Sequence, residues 1–364
     1  MLGLAQKNYE QSVVSINKEM FRENTLQPME DNSCYKTLAA AGVAIASLGR
    51  IARGEVDYTP FTTKEMSIFD RVTHSADAIL SVKEQPLRLI TQAKRLTAPV
   101  IVELHRSDPE HQGQSLDNLH LSIQMGRVAG LIATAEKAKQ AYVATGIPET
   151  MIHTIRNGVD LDKFKPSPER RSYLRHRLNI GEDDPVVCFI ARFDPMKDIP
   201  LFLDSACHYL NKEPTARVIM CGAGMTADNP DMQAVLHKSF YSSPELLDRI
   251  TLLGIQSNME HIYPAADIIA STSRYGETYP LCLMEGLACD AIPVATPVGD
   301  SADIVGQGRG ILTPKRDPRV IANAWRQAYT HRHDYLAAIQ ATRHQFCHKK
   351  MLDNYHKTIH ACIS

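Results

Sequence analysis

From Leu38 onward, short apolar runs alternate with longer amphipathic stretches. Ala78 to Val82 reads as a buried strand and Glu84 to Leu96 as a helix. Pro99 to Leu104 is a second strand, ending at His105-Arg-Ser-Asp108. Leu116 to Arg127 has helical spacing, Gly130 to Thr134 is a strand, and Ala135 to Thr145 is a helix stopped by Gly146. Met151 to Ile155 is a strand running into the turn dipeptide Asn157-Gly158. Residues 1–35 are polar and weakly patterned.

A break follows. Asp160 to Arg177 carries Pro166, Pro168 and the bases Lys163, Lys165, Arg170, Arg171, Arg175 and Arg177. This is the expected domain junction, with its bases on a solvated linker helix. Alternation then resumes. Strands are expected at Val186–Ala191, Arg217–Cys221, Ile250–Leu253, Asp267–Ala270, Ile292–Thr296 and Gly310–Leu312. A helix follows the first of these through Tyr209, and Met259 to Ala265 reads as helical. Leu281 to Cys289 is apolar on every side apart from Glu285, so it reads as a buried helix, with Pro280 as its first residue. Val298 to Ser301 turns into a short helix. Pro318 to Tyr335 and Ala341 to Ile363 complete the chain as helices. Strand–helix alternation of this kind implies parallel sheets covered on both faces, hence an α/β protein of two doubly wound halves. The expected division is 1–160, 161–340 and a C-terminal helix, 341–364, packing back on the first half.

Composition narrows the class. The chain has 364 residues, 44% hydrophobic and 22% charged, with a net charge of −1. That suits two globular domains, and no global field draws it to nucleic acid. Eight cysteines include no C-x-x-C pair and mostly lie in apolar runs, as reduced core residues of a cytosolic protein do. Leu38 to Leu48 is too short to span a bilayer, which takes about 20 residues. No basic segment and apolar core follow Met1, so no signal peptide is expected. Contact with the inner face of a membrane stays open. The histidines show no ligand spacing, and no metal is expected.

In such sheets ligands bind outside the carboxyl ends of the strands. The loops expected there are Arg192–Lys197, Gly222–Gly224, Gly254–Gln256 and Tyr275–Pro280. Arg192 and Lys197 bracket a proline-containing loop. They could hold a diphosphate, arginine by its fork and lysine as a point charge, or be ordinary surface bases. Glu277 falls just outside the mouth of the Leu281 helix and Glu285 in its second turn. A buried Glu285 needs donors such as hydroxyls. The helix mouth, with free N–H groups and a positive dipole end, suits a phosphate. Gly222 is a tight turn that either admits a ligand to the backbone or is purely structural. Asn157 suits a hinge lining a cleft, and His105 ends a strand.

Taken together, Ile155-Arg-Asn-Gly-Val-Asp160, Ile190-Ala-Arg-Phe-Asp-Pro-Met-Lys197, Ile219-Met-Cys-Gly-Ala-Gly224, Ile250-Thr-Leu-Leu-Gly254, Ala266-Asp-Ile-Ile-Ala-Ser271 and Tyr275-Gly-Glu-Thr-Tyr-Pro-Leu-Cys-Leu-Met-Glu285 resemble family-4 glycosyltransferases. The resemblance runs in order from about Gly130 to Leu312, and the two glutamates with seven residues between them are its most specific element. It implies the GT-B fold, two facing Rossmann-like domains with an interdomain cleft, and a retaining enzyme fed by a nucleotide sugar without metal or other cofactor. Carried over, Arg192 and Lys197 match the pair on the diphosphate, Glu277 the acid on the transferred sugar, and Glu285 the acid on the ribose. Thr278, Tyr279, Pro280 and Leu281 match the loop over phosphates and sugar, and Ile255 and Gln256 the cradle of the base. His105, with Asn157, falls on the acceptor side. Family members usually begin with a strand and a glycine-rich loop. Here the chain opens at Met1-Leu-Gly-Leu4, with Gly3 as the remnant of that loop and the first strand missing or replaced. Asp198 and Asp290 stand where glycine is common.

The expected reaction moves a sugar from a UDP- or GDP-sugar to a hydroxyl of a glycan, glycolipid or small molecule. Cell-envelope polysaccharide or glycolipid assembly is the setting that the resemblance implies. The alternatives are a hydrolysing nucleotide-sugar epimerase of the same fold and a catalytically silent nucleotide-sugar-binding module.

Overall fold

The computed structural model describes residues 9–22, 25–52 and 57–363. Met1-Leu-Gly-Leu4 lies outside them. The chain divides into two compact units, Met1–Arg156 with Lys349–Ser364, and Asn157–His348.

The first unit carries two sheets. The polar opening stretch holds two strands, β1 (Ser12–Arg22) and β2 (Thr25–Pro28), where no pattern was expected. β2 runs antiparallel to β1, and β3 (Ala44–Ala52) runs parallel to β1 on its other side. The second sheet is parallel throughout: β4 (Ile79–Val82), β5 (Val100–Leu104), β6 (Val128–Ala133) and β7 (Ile152–Thr154), in that order. The helix expected over 84–96 shrinks to Leu87–Gln92, because Pro86 is its N-cap and Ala93 turns extended. The C-terminal helix His348–Ile363 puts Tyr355 and Ile359 against Ile101, Ile132 and Ile155 of this unit.

The second unit is one six-stranded sheet of β8 (Val186–Ile190), β9 (Arg217–Cys221), β10 (Ile250–Leu252), β11 (Ile268–Ser271), β12 (Ile292–Ala295) and β13 (Ile311–Leu312). Spatial order is β10-β9-β8-β11-β12-β13, with every pair parallel. The chain leaves β8 toward one edge, then returns to lay β11 on its other side. That reversal is a topological switch point, where the loops after β8 and β11 part from one another and leave a crevice. Helices fill both faces around a core in which Phe189 stacks on Phe202 at 4.3 Å and Trp325 closes on Phe202 at 5.3 Å.

Three helical expectations are corrected. Met259–Ala265 is two single 3-10 turns, Met259–His261 and Tyr263–Ala265, the second of which contains Pro264. The 318–335 stretch breaks at His331 into Pro318–Thr330 and Arg332–Thr342. The 341–363 stretch breaks because Cys347 is extended and bridges to Val159.

The solvated linker helix is corrected too. Within the helix Pro168–Arg177, Arg175 is fully buried. Its guanidinium donates to the carbonyls of Gly181, Glu182, Asp184 and Ala265 and to Asp267 Oδ2 at 2.7 Å. Arg171, one turn earlier, donates to Asp267 Oδ1 at 2.7 Å. Asp267 Oδ2 also accepts from the backbone of Val186 at 2.8 Å. Removing one partner of such a buried network strands the other, which costs about 3–5 kcal/mol. Arg175→Ala is therefore expected to lower stability by that amount, whereas the exposed Arg177→Ala should stay within about 0.5 kcal/mol. Calorimetry of the two variants beside the wild type checks this, and equal melting points would refute it.

Candidate functional site

At the carboxyl ends of β8 and β11, residues of both loops and of one helix mouth enclose a concavity of about 340 Å³. Ile190, Ala191, Arg192 and Lys197 come from the first loop, and Glu277, Tyr279 and Pro280 from the second. Leu281 and Cys282 supply the start of the helix, and Asn157 the remaining wall.

Local sequence explains the geometry. Asp194 caps the turn Pro195–Lys197 by accepting from Met196 N at 2.9 Å. The turn aims Lys197 inward, where its ammonium donates to Glu277 Oε1. Ser273 donates to the same oxygen at 2.7 Å. Arg192 is largely exposed and pairs with Asp194 at 3.0 Å. Two cations thus meet two carboxylates, and the charges of this set cancel.

The helix spans Leu281–Ala288, one residue later than expected. Pro280 has φ −64° but ψ 115°, so it is the N-cap and not the first helical residue. It has no side-chain acceptor, and the first N–H groups of the helix receive no side-chain cap from it. A positive dipole end therefore opens toward Arg192 and Lys197.

The loop before this helix is clamped from behind. Asp300 N donates to Thr278 O at 2.7 Å, and Tyr279 Oη donates to Asp303 Oδ2 at 2.7 Å. A Cβ on Gly299 would lie 2.4 Å from Thr278 O and 2.5 Å from Glu277 O, so glycine alone allows this approach. Asn157 Nδ2 donates to Tyr279 O at 3.3 Å.

Other expected residues lie outside the concavity. Glu285 sits on the same helix and accepts from Tyr263 Oη at 2.7 Å, a hydroxyl donor of the kind expected. Burial holds its carboxyl above the usual range, and the Tyr263 bond only partly offsets this. Gly222 opens the backbone to a neighbouring loop: its missing Cβ leaves room for Ala191 O, which a methyl would meet at 2.0 Å. Ile255 and Gln256 follow β10 and are exposed, with the Gln256 amide folded back on Leu253 O at 2.6 Å. His105 belongs to the first unit, where its Nε2 lies 3.2 Å from Glu103 Oε2. Asp198 and Asp290 both have positive φ, 50° and 67°, as positions favouring glycine should.

Sequence reasoning missed Ser273, Tyr263 and Asp194. An aspartate before a proline that opens a turn was a usable signal for Asp194. Nothing local marks the other two. Cys282 lines the concavity, but burial pushes its thiol up to about 12, so it stays protonated and is no nucleophile at neutral pH. Among the described residues no group of three or more potential ligands could hold a metal ion, and no helix is long and apolar enough to cross a membrane.

The fold is that of GT-B glycosyltransferases, two Rossmann-like α/β domains. Anabaena HepE in complex with UDP superposes with a TM-score of 0.78 at 19% identity, covering 97% of this chain and 100% of that one. The same protein with UDP-glucose gives 0.76 at 21%, covering 91% and 90%. Sucrose-phosphate synthase from Thermosynechococcus elongatus gives 0.71 at 17%, covering 96% and 98%. Residues 171–345 match glycosyl transferases group 1. Geodermatophilus obscurus D-inositol 3-phosphate glycosyltransferase is 30% identical over 218 residues, 58% of this chain and 47% of that protein. The chain spans about half the length of the curated relatives it matches.

The raised pKa of Glu285 has a pH signature. Its folded value lies above the ordinary 4.5. Stability is therefore full below 4.5 and is lost as pH rises through the folded value. Glu285→Gln removes that loss. The melting-point difference, variant minus wild type, should be constant below pH 4.5, grow above it and level off. Melting points from pH 4 to 8 check this, and a flat difference would contradict it.

Proposed function

We propose that this chain is a retaining glycosyltransferase, moving a sugar from a nucleotide-sugar donor to an acceptor hydroxyl. The observation that carries the reading is one concavity at a switch point joining Arg192, Lys197, Glu277 and an uncapped helix mouth. A diphosphate brings the negative charge that this set accommodates by exchanging partners. Arg192 gives up an exposed pair with Asp194, worth about 0–1 kcal/mol, so exchange is easy. When Lys197 turns to the diphosphate, Glu277 keeps its Ser273 hydroxyl and offers its other oxygen to the sugar's hydroxyls.

In the proposed step the bond from the anomeric carbon to the diphosphate oxygen breaks, and its electron pair stays on that oxygen. The acceptor hydroxyl forms the new bond on the same face and gives its proton to the departing diphosphate. Arg192, Lys197 and the helix mouth stabilise the charge that develops there. Glu277 fixes the sugar for attack. The high pKa of Cys282 is consistent with a route that has no thiol nucleophile.

The Anabaena protein's complex with UDP-glucose supports a UDP-sugar here, and a GDP-sugar is the next candidate. Glu285 would hold the ribose, Ile255 and Gln256 the base, and Asn157 and His105 the acceptor side. The D-inositol 3-phosphate glycosyltransferases favour an acceptor of polar hydroxyls. Cell-envelope glycan or glycolipid assembly, on the cytoplasmic side, is the setting we assign.

The test is a thermal-shift panel of UDP-, GDP-, ADP- and dTDP-sugars, since a true donor raises the melting point by mass action. Transfer is then followed by NMR of the anomeric proton, with donor alone as a control. Lys197→Ala should lower kcat about 10²–10³-fold with the fold intact. Full turnover in that variant would refute the assignment, and donor turnover without acceptor would replace transferase with epimerase.

A further inference from the structure

Lys197 and Glu277 stand on two irregular loops, and something must hold those loops in register. Backbone and short side chains do part of it. Arg274 N donates to Met196 O at 2.8 Å, and Thr272 Oγ1 reaches Lys197 O at 3.0 Å. A further tie comes from Arg316, in the segment between β13 and the helix Pro318–Thr330. One nitrogen of its guanidinium donates to Ser273 O at 2.7 Å and Thr272 O at 3.3 Å, and the other to Asp198 Oδ2.

Asp198 and Ser273 are direct neighbours of the reacting set. Asp198 follows Lys197 in the chain, and the Ser273 hydroxyl rests on Glu277. The bonds therefore form a closed circuit: Arg316 to Ser273, Ser273 to Glu277, Glu277 to Lys197, and through Asp198 back to Arg316. Asp198 itself is placed for this use. It precedes the helix Ile199–Lys212 but adopts a left-handed conformation and gives that helix no side-chain cap. Its buried carboxylate meets Arg316 and, at 3.4 Å, Arg274. A buried ion pair is weak evidence for stability, and its better-attested use is to specify a geometry.

We propose that Arg316 is a positioning residue for the Lys197–Glu277 pair, bridging Asp198 and Ser273 so that the two loops keep catalytic spacing. This rests on the transferase reading for its kinetic consequence but not for its geometry. Misplacement by about 1 Å can cost about 10²-fold in rate.

Arg316→Met removes all three bonds. Its side chain borders a hollow of about 410 Å³, so the change does not overfill the site. The variant should lose 10- to 100-fold in kcat, with donor KM within about threefold of wild type. Arg316→Lys keeps the charge on Asp198 but not the fork, and should recover part of the loss. A second readout needs no catalysis. Acylation of Lys197, followed by peptide mass spectrometry, should be faster in Arg316→Met because Glu277 no longer shields the ammonium. Wild-type kcat in Arg316→Met, or a rise in KM with kcat unchanged, overturns the proposal. So does an unchanged acylation rate. Absence of transfer in the wild type, with faster acylation in the variant, overturns the transferase reading and leaves the clamp standing. Should the Met variant fail to fold, Arg316→Lys alone decides by the same measurements.

Discussion

The ion pair between Lys197 and Glu277 is the constraint on which the site depends. It joins the loop after β8 to the loop after β11, the two segments that the switch point drives apart. Without it the carboxyl ends of two central strands would carry a lone ammonium and a lone buried carboxylate a few ångströms apart. Either one without its ionic partner costs free energy in a partly dry place. Joined, they form a charge-balanced unit that an incoming anion can reopen.

That balance bears on how such a pocket selects its ligand. A site of unpaired cations would bind any phosphate. On the proposed reading, a ligand here must replace the carboxylate partner of Lys197 and also satisfy the Glu277 that it displaces. A diphosphate bearing a sugar with free hydroxyls does both, since the phosphate takes the ammonium and the hydroxyls take the carboxylate. Inorganic phosphate meets only the first demand. On that reading the pairing converts a general anion site into one that reads two chemical features on one molecule.

Much of this was legible in the chain. Strands from Ala78 onward were found within two residues, because parallel strands buried on both faces appear as continuous apolar runs. β1 was not, because most of its described residues are half-buried and it carries Lys18 and Glu19 within the strand. Arg192, Lys197, Glu277, Tyr279, Pro280, Leu281 and Asn157 all reach the concavity, since strand ends converge by topology. Ile255 and Gln256 do not, because the strand they follow lies two places from the crevice. Arg171 and Arg175 were read as solvated from their charge, yet their spacing of four placed both on one helix face. Their shared acid, Asp267, lies some ninety residues on, and no local pattern points to it.

Asp267 also shows why the crevice can be so finely set. It stands just before β11 and accepts from the first amide of β8, while Arg171 and Arg175 hold its two oxygens. The same two strands are therefore fastened at their amino ends by one ionic cluster and at their carboxyl ends by another. The lower cluster holds the fully buried Arg175 and is multiply bonded, so it fixes the spacing of β8 and β11. The upper pair lines the concavity and has fewer bonds, so it can exchange partners without loosening the strands beneath it. A frame stapled at one end and reversible at the other lets the site change its ionic contacts while its backbone stays put. That is what the proposed electrostatic stabilisation of a departing anion requires, because donors that must move first lose much of their advantage.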